Sequence, residues 1–309
     1  MAMAHEFTYY KPRNPEKVLK LLAQYRTSAR ILAGGTDLVN NIKENVISPE
    51  AIIDIKGITE WQKIELSENV LRIGALVTFS DLIKSSVVRE YFPLIIESAK
   101  TVASAGIRNR ATLIGNICSA VPSLDSGPAL LVYEATITVL GQNGQSGQRE
   151  IPIDQWFTGP KKTALGDDEL AVGLSIPLLK QKHFGCYLKL GRYRGEDLAQ
   201  AGVGILALEK YQYRVAFCAL GPVPSRSLKI ESLLNSNELT DALIKNITDN
   251  IENEISPISD IRASKEYRIH MVKVMMERGL KRVRARQIGQ KTNQHQIPGE
   301  LICKKSHLS

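Results

Sequence analysis

The sequence predicts an α+β fold, with helices and strands grouped along the chain. Helical periods fill 228–235, 240–253 and 260–286, and a cluster of short apolar runs with strand character precedes them. The chain has 309 residues, 43% of them hydrophobic, which is enough for more than one core. We therefore expect a mixed first half, a boundary between Pro177 and His183, and a C-terminal sheet covered by helices.

The first half begins with a helix and then alternates between strands and helices. Asn14 can cap a helix that has Pro15 in its first turn and an apolar stripe made by Val18, Leu19, Leu22 and Tyr25. Strands are predicted within 29–35, 51–56 and 70–78. Residues 79–104 are predicted as a helix in two pieces broken near Pro93. The segment 107–128 has no sustained period and is rich in Gly, Pro, Ser and Asn, so a long irregular and functional stretch is expected.

Five strand candidates follow from residue 135 onward, close together and with turn signals between them: "ATITVLG", "ELAVGLSIPL", "CYLKLGR", "AGVGILALEK" and "VAFCALG". We divide the chain into a first domain at 1–180, a C-terminal domain at 181–286 and a polar, basic tail at 287–309. The tail composition is compatible with disorder.

Composition excludes several classes of protein. No apolar run approaches the ~20 residues that a membrane span needs, and the N-terminus lacks the apolar core of a signal peptide, so a cytoplasmic location is expected. The four cysteines form no CxxC pair and the five histidines show no ligand spacing, which argues against a metal site or cluster in this chain. Cys118 has no neighbouring base in sequence, and no nucleophile motif is present.

The positive charge is concentrated at the C-terminal end. Residues 271–309 contain nine Lys/Arg and two acidic residues, which accounts for +7 of the net charge of +8. Such a segment could contact an acidic partner subunit or nucleic acid. No aromatic residue interleaves with these charges, so a solvated final helix is the favoured interpretation.

The loop "AGGTD", Ala33 to Asp37, follows a predicted strand. Glycine lets a chain turn and removes the Cβ that would block a ligand, and successive N–H groups can hold an anion such as a pyrophosphate. The spacing of neither a dinucleotide fingerprint nor a phosphate loop is complete. In isolation, a plain turn is the favoured interpretation of this loop.

Two further stretches carry polar groups on loop-like backbone. Residues 112–130 include a glycine turn and Asp125, whose carboxylate could accept hydrogen bonds from ribityl or ribose hydroxyls. Residues 188–202 combine Lys189 with other charged residues and two glycines, which suits a mobile loop beside a cofactor. A polar surface loop and a solvated hairpin tip remain the alternatives.

Together, these stretches resemble the FAD-binding medium subunits of molybdenum hydroxylases, such as xanthine, carbon monoxide and nicotinate dehydrogenases. That family carries an Ala-Gly-Gly-Thr/His-Asp/Ser loop, matched by Ala33 to Asp37. It also carries an Ile-Arg-Asn stretch before a Thr-Ile-Gly-Gly-Asn loop, matched by 107–109 and 112–116. The C-terminal half is similar through "CALGPVPSRSLKIESLL" and "SDIRASKEYRIHMV". The similarity covers residues 5 to 285, and "GNIC", "LDS", "LVYEA" and "IDQWFTGP" look most like bacterial xanthine dehydrogenase subunits.

The resemblance implies a vanillyl-alcohol-oxidase (PCMH)-type FAD-binding domain of two subdomains, followed by a smaller sheet-plus-helices domain. It implies that two loops hold the pyrophosphate, that Asp125 binds hydroxyls, that Lys189 lies near the flavin and that Leu198 covers the flavin ring. The cofactor-binding residues are therefore expected to be Ile31, Leu32, Ala33, Gly34, Gly35, Thr36, Asp37, Leu38, Thr112, Ile114, Gly115, Asn116, Asp125, Lys189 and Leu198.

Ile114 stands where the family has the first glycine of the second loop, and it could crowd one side of the phosphate or shift the turn. The family often has Ala-Ser-Pro where Ala120-Val121-Pro122 stands here, so one hydroxyl contact is expected to be lost.

The function implied is electron transfer, with no catalytic side chain. A partner subunit with molybdopterin would oxidise the substrate, a subunit with 2Fe–2S clusters would pass on the electrons, and FAD on this chain would reduce NAD+ or another acceptor. A xanthine or purine substrate is expected. The alternatives are a flavin subunit for carbon monoxide, nicotinate or aldehyde oxidation, a free-standing flavin reductase, an adaptor without FAD, and a nucleic-acid-binding protein.

Overall fold

A small parallel sheet opens the part of the chain that the computed structural model describes, residues 6–141, 144–193 and 197–294. Its strand order is β1-β3-β2, and a helix connects each strand to the next in sequence. Asn14 caps the first helix as predicted, because its side chain accepts a hydrogen bond from the Lys17 N–H at 3.0 Å. These elements are β1 (Thr8–Tyr10), α1 (Pro15–Tyr25), β2 (Ala29–Leu32), α2 (Leu38–Lys43) and β3 (Ala51–Asp54).

A five-stranded antiparallel sheet follows, and six helices are inserted between its second and third strands in sequence. Its elements are β4 (Ile64–Ser67), β5 (Val70–Gly74), α3 (Phe79–Lys84), α4 (Ser86–Tyr91), α5 (Pro93–Thr101), α6 (Ala105–Arg108), α7 (Leu113–Ser119), α8 (Ser126–Val132), β6 (Thr136–Gly141), β7 (Gly144–Pro152), α9 (Ile153–Trp156), β8 (Phe157–Gly159), β9 (Lys162–Thr163) and β10 (Leu170–Pro177). The strand order is β4-β5-β10-β6-β7, and β8 pairs with β9 separately. The last strand of the first half, β10, therefore lies at the centre of this sheet, between β5 and β6.

The segment 107–128 is not the irregular stretch that was expected. It contains all of α7 and the first three residues of α8. Thr112 caps α7 by accepting a hydrogen bond from the Gly115 N–H at 3.0 Å. Every residue of α8 is buried. A seven-residue helix that is buried all round has no polar face, so it shows no amphipathic period in the sequence. The helix predicted over 79–104 likewise has three pieces rather than two, since α3 and α4 meet at Ser85.

The C-terminal sheet forms a middle layer of the molecule. Its elements are β11 (His183–Leu190), β12 (Ala201–Leu208), β13 (Gln212–Cys218) and β14 (Ser225–Arg226), and its antiparallel order follows the sequence. Along β12, Leu206 and Leu208 pack with the first half of the chain, whereas Val203, Ile205 and Ala207 pack on the other side. Side chains alternate between the two faces of a strand, so one strand contributes to two cores.

Three helices cover the outer face of this sheet: α10 (Leu228–Leu234), α11 (Asp241–Asn250) and α12 (Lys265–Gln294). The predicted α+β class and the helical cover of the C-terminal sheet are confirmed. The last helix extends beyond residue 286, so the first eight residues of the expected tail, 287–294, are helical. The remaining tail, 295–309, lies outside the described residues.

The basic residues of α12 are not simply solvated. Arg282 and Arg286 bind Glu97 of α5 at 3.1 and 2.8 Å, and Arg284 binds Asp241 at 2.8 Å. These ion pairs join α12 to the first half of the chain and to α11. Much of the positive charge at the C-terminal end thus has a structural role.

Candidate functional site

The loop from Ala33 to Asp37 joins the end of β2 to the start of α2. The backbone N–H groups of Gly34, Gly35, Thr36 and Asp37 take no acceptor from any residue that the structure describes. Gly35 has φ +78°, a left-handed conformation that glycine adopts without strain. Desolvation raises the pKa of the Asp37 carboxyl, although its side chain keeps contact with solvent. The loop therefore offers a run of free donors, as an anion-binding loop requires.

A hydrogen-bonded network supports this loop from the neighbouring strand. Lys56 Nζ lies 2.9 Å from Asp54 Oδ1 and 3.4 Å from the carbonyl oxygen of Ala33. Tyr9 donates its hydroxyl to Asp54 Oδ2 at 2.5 Å. Burial would raise the pKa of Asp54, but hydrogen bonds from Tyr9 and Lys56 outweigh it and hold that pKa below its ordinary value. Asp54 therefore stays charged and fixes the lysine beneath the loop.

The first loop lies directly against the entrance to the second. A Cβ added to Gly34 would stand 2.1 Å from the carbonyl oxygen of Arg110 and 3.0 Å from the Cα of Ala111. Only a residue without a side chain permits this approach of two backbones. The two glycine-containing segments, about 80 residues apart in sequence, are therefore neighbours in the fold.

The second loop is the first turn of α7. Thr112 is buried and pairs with Thr78, while Gly115 is exposed at the surface of the turn. Ile114 is 3% exposed and belongs to the main hydrophobic core, so its side chain is accommodated inside the protein. Its backbone N–H has no acceptor among the described residues. Isoleucine in place of the family's glycine therefore adds an apolar side chain to the core. It does not occupy the backbone N–H, which has no acceptor among the described residues.

Asp125 and Lys189, which were assigned separate roles from the sequence, form an ion pair. Lys189 Nζ lies 2.8 Å from Asp125 Oδ2 and donates to the carbonyl oxygen of Thr101 at 2.8 Å. Tyr187 donates its hydroxyl to Asp125 Oδ1 at 2.7 Å. Burial raises the pKa of Asp125, and the ammonium of Lys189 opposes that rise. The pair connects α8 of the first half to β11 of the C-terminal sheet.

Both members of this pair retain hydrogen-bonding capacity. An ammonium has three donors, of which Lys189 directs two to described residues, and a carboxylate offers about four acceptor positions. Ser126 links the pair to the second loop by donating its hydroxyl to Asn116 Oδ1 at 2.6 Å. The predicted residues from Ala33 to Lys189 are therefore connected by one series of contacts.

Leu198 lies outside that series, on the connection between β11 and β12. The residue is 58% exposed, although the neighbouring Ala199 is fully buried. Residues 194–196 of the same connection lie outside the described residues. The exposure of Leu198 suits a side chain that covers a bound molecule, and its role stays a prediction.

Sequence reasoning missed Tyr187, Lys56 and Asp54. Tyr187 sits in a strand candidate two residues before Lys189, and alternation places both side chains on the same face of β11. That spacing was a signal for Tyr187. The contact between Lys56 and Ala33 joins the segments that follow β3 and β2, and these strands pair only in the folded chain, so the local sequence carries no signal for it.

Several other functions find no support in the described part of the chain. No group of His, Cys, Asp and Glu side chains could hold a metal ion there. Burial raises the pKa of the Cys118 thiol to about 12, so it is not an activated nucleophile. No helix in the described ranges has the length and apolar character needed to cross a bilayer.

Comparison with known proteins places the chain in a family. Residues 5–179 match the FAD binding domain in molybdopterin dehydrogenase, and residues 187–283 match the CO dehydrogenase flavoprotein C-terminal domain. The xanthine dehydrogenase FAD-binding subunit of Escherichia coli O157:H7 is 30% identical over 88% of this chain and 94% of its own length. The glyceraldehyde dehydrogenase medium chain of Sulfolobus acidocaldarius is 30% identical over 90% and 98%.

The solved structures agree with the sequence matches. Carbon monoxide dehydrogenase from Hydrogenophaga pseudoflava, in a form lacking the Mo-pyranopterin moiety, superposes with a TM-score of 0.86 at 29% identity, covering 93% of this chain and 99% of its own. These matches confirm the predicted fold, an FAD-binding domain followed by a C-terminal domain. The chain belongs to the FAD-binding subunits of the molybdopterin dehydrogenases, a family of oxidoreductases.

Proposed function

We propose that this chain binds FAD between the loop 31–38 and the first turn of α7 and transfers electrons within a multi-subunit molybdenum hydroxylase. The observation that carries the proposal is the run of backbone N–H groups from Gly34 to Asp37, which have no acceptor among the described residues. Gly34 contacts Arg110 and Ala111 just before α7, where the N–H of Ile114 likewise has no described acceptor. Such groups fit the charge and the acceptor atoms of a pyrophosphate. The donor set of the site therefore fits the cofactor that the family binds.

The protein's part in this function is to bind, orient and shield the cofactor. The two loops hold the pyrophosphate, and Asp125 accepts hydrogen bonds from ribityl or ribose hydroxyls. The remaining donor of Lys189 would be available to acceptor atoms of the flavin, and Leu198 would keep water from the ring. Bound FAD would supply the ability to store two electrons and to exchange them singly, and this function requires no side chain to act as a nucleophile.

We further propose that the electrons come from 2Fe–2S clusters of one partner subunit and, through them, from a molybdopterin-containing subunit. The relatives are named as a subunit or a medium chain, which supports an assembly of several chains. NAD+ is the proposed acceptor, xanthine or another purine the proposed substrate, and the cytoplasm the proposed location. The match of the C-terminal half to a dehydrogenase flavoprotein domain disfavours a free-standing reductase.

Flavin titration of the purified chain tests the binding site. We expect FAD to bind, with its visible absorption band perturbed, and riboflavin to bind at least about 100-fold more weakly because it lacks the pyrophosphate that the free N–H groups would hold. Riboflavin is the matched control, since it carries the same ring system. Failure to bind FAD, or equal affinity for both flavins, would contradict the proposal.

Anaerobic reduction tests the acceptor. If NAD+ takes electrons from this subunit, NADH must be able to return them, so NADH should bleach the absorption of the bound flavin. Dithionite serves as the control that the flavin is reducible. Bleaching by dithionite but not by NADH would assign the electrons to a different acceptor. Co-expression with candidate molybdenum and iron–sulfur chains, followed by purification through this chain, tests the assembly.

A further inference from the structure

A connection of ten residues, 191–200, links β11 to β12 and carries Leu198. Its two ends are held together because the Gln200 N–H donates to the carbonyl oxygen of Leu190 at 2.8 Å and Leu190 pairs with Ala201 in the sheet. Ala199 is fully buried, so the returning end of the connection is packed into the protein. Leu198 is thus exposed one residue before a fixed anchor.

Arg268, in the first turn of α12, holds that anchor from the opposite side of the sheet. Its Nη1 donates to the carbonyl oxygen of Gln200 at 2.7 Å and contacts that of Ala219 at 3.5 Å. Its Nη2 donates to Asp260 Oδ1 at 2.7 Å. A planar guanidinium can direct donors to a carboxylate and to carbonyl groups at once, which the single ammonium of lysine cannot do in the same geometry.

The environment of Arg268 is costly for a charged side chain. The residue is 2% exposed, and its Nε is buried without a hydrogen-bond partner among the described residues. A buried unpaired donor lowers stability, and apolar residues often replace buried ion pairs without loss. The geometry of its hydrogen bonds, rather than their number, therefore distinguishes this arginine from an apolar or lysine side chain at the same place.

Asp260 keeps the guanidinium in place. It binds Arg262 through Oδ2 at 2.7 Å and accepts the backbone N–H groups of Arg262 and Ala263. Burial would raise the pKa of Asp260, but these hydrogen bonds and the charge of Arg268 hold that pKa well below its usual range. Asp260 is thus a charged partner whose other hydrogen bonds go to Arg262 and Ala263, and not to the 191–200 connection.

We propose that Arg268 is a positioning residue that fixes the returning end of the 191–200 connection and so determines how Leu198 covers the flavin. The proposal rests on the proposed function, because the covering role of Leu198 belongs to it. Arg268 acts on the connection through the carbonyl oxygen of Gln200, and so links α12 to the cofactor environment.

Limited trypsin digestion of the protein without flavin tests the anchoring directly. Arg192 and Arg194 are trypsin sites by sequence, and loss of a charge-assisted hydrogen bond to Gln200 should raise the open fraction of the connection about 10-fold or more in Arg268→Lys. Arg214→Lys is the matched control, since Arg214 also binds one carbonyl, of Val132, and one carboxylate, of Glu134. Mass spectrometry identifies the bonds that are cut.

The second readout is the accessibility of bound flavin to iodide, measured by fluorescence quenching after FAD reconstitution. Arg268→Lys and Asp260→Asn should raise the quenching constant severalfold, whereas Arg214→Lys should leave it unchanged. Equal acceleration of cleavage in Arg268→Lys and Arg214→Lys, or unchanged quenching in the Arg268 and Asp260 variants, would overturn the proposal. If the wild-type chain binds no FAD, the proposed function fails, and digestion still decides whether Arg268 anchors the connection.

Discussion

Replacement of Gly34 by alanine is the sharpest perturbation of the two-loop contact. The added Cβ would lie 2.1 Å from the Arg110 carbonyl oxygen and 2.9 Å from its carbonyl carbon. These are backbone atoms of a segment paired with residues 77–79, so they cannot rotate away as a flexible side chain could. The two loops must separate, by at least about 1.3 Å if the contact is to lengthen from 2.1 Å to an ordinary van der Waals distance of about 3.4 Å.

The expected cost follows from that displacement. Overpacking of this kind destabilises a fold by about 1–3 kcal/mol. Separation of the loops should also remove one or two charge-assisted hydrogen bonds to the pyrophosphate, each worth about 1.5–3 kcal/mol. We therefore expect FAD affinity to fall roughly 10-fold or more in Gly34→Ala, beyond any loss of stability.

Flavin titration and thermal unfolding of the same samples measure the two effects. Gly106→Ala is the matched control, because Gly106 lies in α6 and an added Cβ there meets only the Ser104 hydroxyl, at 3.9 Å. That variant should keep wild-type FAD affinity. Wild-type affinity in Gly34→Ala would refute the inference that the contact between the loops shapes the cofactor site.

Two further predictions concern buried titratable groups. Lys189→Met should lower the free energy of unfolding by about 3–5 kcal/mol in urea titrations, because it leaves the Asp125 carboxylate buried without its cation. The double variant that also carries Asp125→Asn should lose less stability than the sum of the two single changes. Additive losses would contradict the ion pair. Burial lowers the pKa of the His183 imidazole below its ordinary 6.5. As the pH falls below 6.5, the unfolded chain therefore binds a proton at His183 before the folded chain does, and the free energy of unfolding decreases. Unfolding free energies measured from pH about 7.5 to about 5.5 should decline less steeply in His183→Gln than in the wild type, and equal slopes would contradict this account.

The sequence-based account of the fold succeeded where a signal was local. The cap at Asn14 and the paired glycines after β2 are set by residues close together in sequence. The five strand candidates are equally local, and they became β6 and β10 of the first half's sheet and β11, β12 and β13 of the C-terminal sheet. It failed for α8, because a short helix that is buried on all sides has no alternation of polar and apolar residues. It failed for α7 because seven residues make only about two turns and carry too little of the helical period. The short edge strands β1 and β14 were missed for a related reason, since two or three residues carry too little pattern.

The same distinction holds for the candidate site. The sequence indicated that Asp125 and Lys189 carry useful chemistry, but their pairing across 64 residues depends on how β11 packs against α8. The inward orientation of Ile114 depends on which side of α7 faces the core. Neither the ion pair nor this orientation is a property of a short stretch of residues.

By itself, the sequence determined the class of fold, the donor groups of the two loops and the family to which their order and spacing correspond. Only the tertiary structure decided that Gly34 contacts Arg110, that Asp125 is neutralised by Lys189 and that Arg268 reaches Gln200 from α12. The physical reason is that backbone preferences and chemical groups are local, whereas distance, burial and charge pairing arise when distant segments pack together.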